Sequence, residues 1–343
     1  MKNIVAAILC GAFLLTGCSA EKPDKVASEA HSRDIFAMDT FMTMKAYGEN
    51  AEGALSEAAV KITDLEKLLA VTDPESDISR INSGSGSAVQ VSEDTAAIIE
   101  AGLKYGEMTG GALDITVYPV LREWGFTTGE YKIPTNEEIT SLLKSVDYTK
   151  VQLTDDRVEI PQGSMVDTGS LAKGYTSDRV IEILRENGVT SAIVSLGGNV
   201  QSLGLKPDGS QWKVGIKDPF QPDSEMCIVS VGEKAVITSG NYERFFEGED
   251  GRVYWHIIDP SDGAPADNGL VSVTVIGDSG LMCDALSTAL FVCGTDKAQQ
   301  IWRSEQSFDM VLVTDDHRLL VTEGIADSIT NISSMDMEVL SLD

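Results

Sequence analysis

The chain has 343 residues, with 26 Lys+Arg against 54 Asp+Glu, 42% hydrophobic and 6% aromatic residues, and a mean hydropathy near zero. That composition excludes collagen, coiled coil, extended disorder and a multi-spanning membrane protein. A net charge of −28 argues against a general nucleic-acid binder, whose phosphate contacts need clustered Lys and Arg, and the length allows one large domain or two ordinary ones with a sizeable core.

Lys2 supplies a positive n-region, and residues 4–15 form an apolar stretch too short to span a bilayer but typical of a signal h-region. Leu15-Thr16-Gly17-Cys18 follows and resembles a bacterial lipobox, in which the cysteine is lipidated and becomes the mature N-terminus. An ordinary secretory signal cut nearby is the alternative. On the lipobox reading, residues 1–17 are a lipoprotein signal peptide and Cys18 is the anchor to the membrane, with several acyl chains holding far more firmly than one. Residues 18–33, polar and rich in Glu, Lys, Ser and Ala, read as a tether, which leaves 34–343 as the folded domain. Cys10 lies in the signal. The remaining Cys227, Cys283 and Cys293 are odd in number and lack CxxC or Cys/His spacing, so they indicate neither a disulfide framework nor a zinc site.

Within the domain, residues 35–47 read as a strand. Leu55, Ala59, Ile62, Leu65 and Leu69 recur at helical spacing, which predicts an amphipathic helix over 51–71. Residues 73–87, rich in Ser, Gly and Asp, read as a loop. A second helix is predicted over 93–108 with Ser92 as N-cap. Val151 and Leu153, then Val158 and Ile160, alternate around Asp155-Asp156 and signal a hairpin. A third helix over 171–186 stops at Asn187-Gly188, the glycine suiting a left-handed C-cap. Strands are predicted over 192–196, 212–216, 227–231, 253–258 and 270–276, then a helix over 281–292. Val311 and Val313 pair plausibly with Leu319 and Val321 around Asp315-Asp316. Antiparallel runs with inserted helices indicate an α+β fold of largely antiparallel or mixed sheets, in one compact unit.

Only three histidines occur, at 31, 256 and 317, and His256 ends an apolar strand running into Asp259-Pro260. If the chemistry needs an imidazole base, His256 is the well-placed candidate, the alternative being a hydrogen-bonded structural histidine. Asp284 and Thr288 stand at i and i+4 on the helix predicted over 281–292, so their oxygens share a face. With an oxygen from elsewhere they would suit Mg²⁺, phosphate and water completing the shell; a helix-terminal charge and a packed threonine are the plainer reading. The segment from Asp167 through Gly169, Ser170 and Lys173 to Tyr175 opens a helix whose amides, with Lys173, could receive a phosphate. Leu196-Gly197-Gly198-Asn199 follows a strand, where missing β-carbons let a ligand approach the backbone, although tight turns alone would also account for both glycine-rich stretches.

Taken in order, these segments resemble the FAD:protein FMN transferase (ApbE-like flavin transferase) family. The resemblance is carried by Met38-Asp39-Thr40, Ser76-Asp-Ile-Ser-Arg-Ile-Asn82, Gly110-Gly-Ala-Leu-Asp-Ile-Thr-Val117, Trp124-Gly125-Phe126 and the 167–175 segment. It continues through Ser195-Leu-Gly-Gly-Asn199, Trp212-Lys-Val-Gly-Ile-Lys-Asp-Pro219, Thr238-Ser-Gly-Asn-Tyr-Glu-Arg244, His256-Ile-Ile-Asp-Pro260 and Asp284-Ala-Leu-Ser-Thr288. One departure is Asp39, which stands where members usually have glycine.

The resemblance implies an ApbE-like flavin transferase fold and a Mg²⁺-dependent enzyme that moves FMN from FAD to a Thr or Ser hydroxyl of an acceptor redox protein carrying a flavinylation motif, releasing AMP. It further implies metal binding by Asp284, Thr288 and an oxygen of Ser170, and a base role for His256. Met38, Ala112, Leu113, Asp114, Asp167, Lys173 and Ile258 match FAD-contact positions. Together with the lipobox, this places the enzyme in the cell envelope, lipid-anchored on the extracytoplasmic side of a bacterial membrane. A metal-dependent FAD pyrophosphatase giving FMN and AMP would need nearly the same site. A non-catalytic FAD-binding lipoprotein is the reading from another class; retention of His256 beside Asp284 and Thr288 favours catalysis over it.

Overall fold

Met38 and Asp39 both adopt left-handed backbone, with φ of 49° and 59°, and this tight turn divides the strand predicted over 35–47 into a hairpin, β1 (Ala30–Ala37) and β2 (Thr40–Tyr47). Aspartate is among the few residues that tolerate this region, so the turn survives without glycine at position 39. The computed structural model describes residues 29–342; the signal segment and Cys18 lie outside the described residues. β1 starts at Ala30, inside the stretch read as a tether, because residues 30–33 pair with 44–47 of β2. This edge strand is largely exposed, so it lacks the apolar alternation that betrays a strand.

The hairpin leads into α1 (Ala51–Leu69), α2 (Asp77–Ser83), β3 (Val89–Gln90) and α3 (Glu93–Thr109). Next come α4 (Tyr118–Glu123), α5 (Asn136–Leu142), β4 (Gln152–Thr154), β5 (Arg157–Glu159) and α6 (Ala172–Glu186). The second half begins with β6 (Ser191–Leu196), β7 (Asn199–Leu203), β8 (Trp212–Asp218), β9 (Gln221–Val231) and β10 (Ala235–Gly240). Then follow β11 (Phe245–Glu247), β12 (Val253–Trp255), β13 (Leu270–Gly277) and α7 (Gly280–Glu305). The chain closes with β14 (Phe308–Thr314), β15 (Arg318–Thr322), α8 (Glu323–Ala326), β16 (Ile329–Asn331) and β17 (Asp336–Leu340).

A nine-stranded sheet, ordered β1-β2-β6-β7-β10-β13-β14-β15-β17, organises the molecule; among the described strands only β15 and β17 pair in parallel. The fold is α+β. Helices cover one face of the sheet. Met42, Met44, Val194 and Leu196 pack there with residues of α1 and α6, while Ile237, Val273, Val275 and Leu312 pack with residues of α3 and α7. The small sheet β16-β9-β8 covers part of the other face through Trp212, Val214 and Val229, against Val236, Ile276 and Val311. Covered on both faces, β13 is buried at every position, which explains its nearly continuous run of apolar and small residues. Burying each large apolar side chain in these layers contributes about 1.5–3 kcal/mol.

Three further expectations are corrected. The 73–87 loop contains α2, capped by the Ser76 side chain accepting from the Ser79 amide, because Ile78 and Ile81 reach the core despite polar neighbours. The strand predicted over 253–258 ends at Trp255. The helix predicted over 281–292 runs to Glu305, continuing past a kink at Gly294 (φ 74°) that hides the second half from a periodicity reading.

Candidate active site

α6 and α7 cross in backbone contact. A Cβ on Gly174 would lie 2.2 Å from the Gly280 carbonyl oxygen and 2.5 Å from the Asp284 Cβ, so only glycine permits the approach. Asp178, one turn along α6, accepts from the Ser279 hydroxyl (2.8 Å) and from the amides of Gly280 (2.6 Å) and Leu281 (3.0 Å), which pins the start of α7. This crossing brings the Gly174 amide to donate to Asp284 Oδ2 at 2.8 Å. From the first position of β7, Asn199 Nδ2 donates to Asp284 Oδ1 at 2.9 Å. Thr288, one turn on, lies 3.2 Å from the Ser239 hydroxyl at the end of β10, which also meets Ser287 at 2.8 Å.

These groups floor a cleft with about 1040 Å³ of empty space including its open mouth. Ser170 and Lys173, from the start of α6, form one wall; Ala112 to Asp114 and Phe126 form another; Arg244 and His256 to Ile258 form a third. Every predicted site residue within the described chain lines this cleft except Met38. Met38 instead donates its amide to Glu66 Oε1 (2.6 Å) and packs between two core clusters, holding the β1–β2 turn. Asp114 lines the cleft, but its carboxylate is already engaged by the Thr116 amide (2.8 Å), the Thr116 hydroxyl (2.5 Å) and the Tyr148 amide (3.1 Å), so the side chain fastens its own loop.

Asp284 is only 4% exposed, and burial raises its carboxyl above the ordinary range, opposed by the Lys173 ammonium and the donors from Gly174 and Asn199. A buried carboxylate that neutral donors satisfy only partly is a strong attractor for a cation. The neutral oxygens of Thr288 and Ser170 share the cleft with it, as do the side chains of Asp167 and Glu243. Among the described residues no group of three or more His, Cys, Asp or Glu could hold a metal alone. Carboxylate and hydroxyl oxygens suit a hard cation such as Mg²⁺ better than zinc, since such an ion keeps waters and shares its shell with substrate phosphates.

His256 closes the base of the β11–β12 ribbon. Its amide donates to the Arg244 carbonyl (3.1 Å), and its Nδ1 meets the same oxygen at 3.2 Å. A carbonyl can only accept, so the ring proton sits on Nδ1 and Nε2 carries the free lone pair. Crowding in the cleft lowers the imidazole pKa from 6.5 to about 4, and the positive charges of Arg244 and Lys173 push the same way. His256 is therefore a neutral base at pH 7. Sequence reasoning assigned no role to Asn199, Ser239 or Arg244, although all three lie inside the quoted motifs.

Hard oxygen donors around the buried Asp284, a lysine ammonium and a neutral imidazole in one cleft equip an enzyme that acts on a phosphoryl group. The chain belongs to the ApbE family, whose model matches residues 38–312. It is 33% identical to an FAD:protein FMN transferase of Salmonella typhimurium, covering 88% of this chain and 89% of that one. It is 30% identical to one from Treponema pallidum, covering 95% and 94%. The solved ApbE protein of Thermotoga maritima superposes with a TM-score of 0.82 at 31% identity, over 88% of this chain and 99% of that chain.

Proposed function

We infer that this protein is an FAD:protein FMN transferase, which joins the FMN portion of FAD to a Ser or Thr hydroxyl of an acceptor protein. The observation that carries the reading is the pairing, in one cleft, of a neutral His256 with the buried Asp284. His256 Nε2 takes the proton of the acceptor hydroxyl. The hydroxyl oxygen then bonds to the FMN-side phosphorus as the phosphoanhydride bond breaks and AMP departs. Lys173 places positive charge beside the diphosphate in an otherwise acidic protein. Asp284, Thr288 and Ser170 would hold Mg²⁺, which when bound polarises phosphoryl oxygens and neutralises their charge. Ala112, Leu113, Asp167 and Ile258 form cleft walls against which the dinucleotide would lie.

Incubation of a motif-bearing acceptor with the protein, FAD and Mg²⁺ is expected to add FMN to that acceptor in its mass spectrum and to release AMP. Release of free FMN with no modified acceptor would favour hydrolysis instead. Replacing His256 with Ala is expected to slow transfer by about 10²–10⁴-fold with FAD binding retained. Loss of FAD binding would assign the ring a structural role.

The lipobox supports attachment at Cys18 on the extracytoplasmic side of a bacterial membrane. A Cys18→Ala chain should then appear in the soluble rather than the membrane fraction; unchanged membrane retention would argue against the anchor.

A further inference from the structure

A carboxylate on a helix can turn about its side-chain bonds, so a cation ligand works best when other contacts stop it turning. Both oxygens of Asp284 are held. The Gly174 amide, brought in by the crossing of α6 and α7, donates to Oδ2 at 2.8 Å. The Oδ1 atom is held by a side chain instead, through Asn199 Nδ2 at 2.9 Å. Asn199 is only 3% exposed, so bulk water does not compete for this bond.

Local sequence dictates where Asn199 stands. Leu196 pairs with Asn199 across a two-residue hairpin turn whose members, Gly197 and Gly198, both have positive φ (62° and 96°), which glycine adopts without strain. A Cβ on Gly197 would lie 2.5 Å from Thr40 Oγ1, so the turn sits tight against the first residue of β2, and the Gly197 amide donates to the Phe41 carbonyl at 3.2 Å. Asn199 therefore reaches α7 from an anchored strand end. Its amide orientation follows from its partner: an ionised carboxylate can only accept, so nitrogen rather than oxygen faces Asp284. Aspartate at 199 would set two acceptors against each other, and leucine would offer no donor. The hydrogen bonds to Asp284 leave some of the about four acceptor sites of a carboxylate for a cation. Asn199 also lines the cleft alongside Ser170 and Thr288.

We propose that Asn199 is a positioning residue, whose side-chain amide, together with the Gly174 backbone amide, fixes the Asp284 carboxylate in the orientation that receives the cation. This rests on the reading of Asp284 as a Mg²⁺ ligand given above.

The test titrates Mg²⁺ alone into chelator-treated, FAD-free protein by calorimetry, for wild type, Asn199→Leu and Asn199→Ala. Leucine keeps the volume without the donor, and alanine serves where the buried site does not accommodate leucine. Removing the partner that orients a metal ligand costs about 10–100-fold in metal affinity, so the Mg²⁺ Kd is expected to rise by about that factor. The Mg²⁺ concentration for half-maximal FMN transfer to a soluble Thr-bearing acceptor should rise with it, while the rate at saturating Mg²⁺ returns to near the wild-type value. That return separates positioning from a merely structural role, because added metal does not restore a collapsed cleft. An unchanged Mg²⁺ Kd overturns the proposal. So does a rate that stays low at every Mg²⁺ concentration. Wild-type protein that binds no Mg²⁺ would remove the cation reading of Asp284 and this proposal with it. Wild type that binds Mg²⁺ yet transfers no FMN would remove the transferase reading, a distinct outcome, because the Mg²⁺ Kd still decides the role of Asn199.

Discussion

At the scale of single residues, the pH response isolates His256. A lowered pKa preserves the neutral, proton-accepting ring to lower pH, so the base form is lost only well below the ordinary 6.5. The acid limb of kcat/KM, which reports the free enzyme, is therefore expected between about pH 4 and 6. A limb centred at 6.5 or above would mean that the cleft does not depress the ring. His256 was legible because histidine is so scarce in this chain. Its orienting contact was not, since the Arg244 carbonyl is a backbone group and leaves no mark in the choice of residue. Asn199 was hidden for a related reason: its partner Asp284 is 85 positions away, and no local spacing connects the start of one strand to the second turn of a distant helix.

Among the elements, the crossing of α6 and α7 decides whether the candidate cation site exists at all. Gly174→Ala would place a methyl 2.2 Å from the Gly280 carbonyl, and the helices must separate or tilt. Overpacking of this kind costs about 1–3 kcal/mol. It would also draw the Gly174 amide away from Asp284, so transfer should fall further than stability alone explains. Gly53→Ala makes the matching control, because Gly53 stands on the solvent-facing side of α1 and its Cβ meets nothing within 4 Å. That change should stabilise by up to about 1 kcal/mol through helix propensity and leave transfer unchanged. Urea melts with initial rates separate the two. Equal stability for Gly174→Ala and wild type would show that the crossing is looser than its geometry indicates. The long helices α1, α3 and α6 were readable because each keeps one apolar stripe. The short α2 and the edge strand β1 were not, because tertiary contacts rather than periodic burial define them.

For the whole molecule, the α+β class followed from composition and pattern, whereas the strand order did not: β6 and β7 sit between β2 and β10 through contacts across the chain. Net charge acts at this scale too. FAD must approach a chain of net charge −28, and the long-range field repels its diphosphate even though the proposed contact with Lys173 would attract it once inside. The screening length shrinks from about 30 Å at 0.01 M salt to about 8 Å at 0.15 M, so added salt removes the distant repulsion first and leaves the contacts within the cleft largely intact. At fixed free Mg²⁺, kcat/KM for FAD is therefore expected to rise with NaCl over this range, opposite to a nucleotide site on a basic protein. Steady-state rates at limiting FAD measure this directly. A monotonic fall would mean that Lys173 and Arg244 dominate the approach and that the acidic exterior is too far from the cleft mouth to matter.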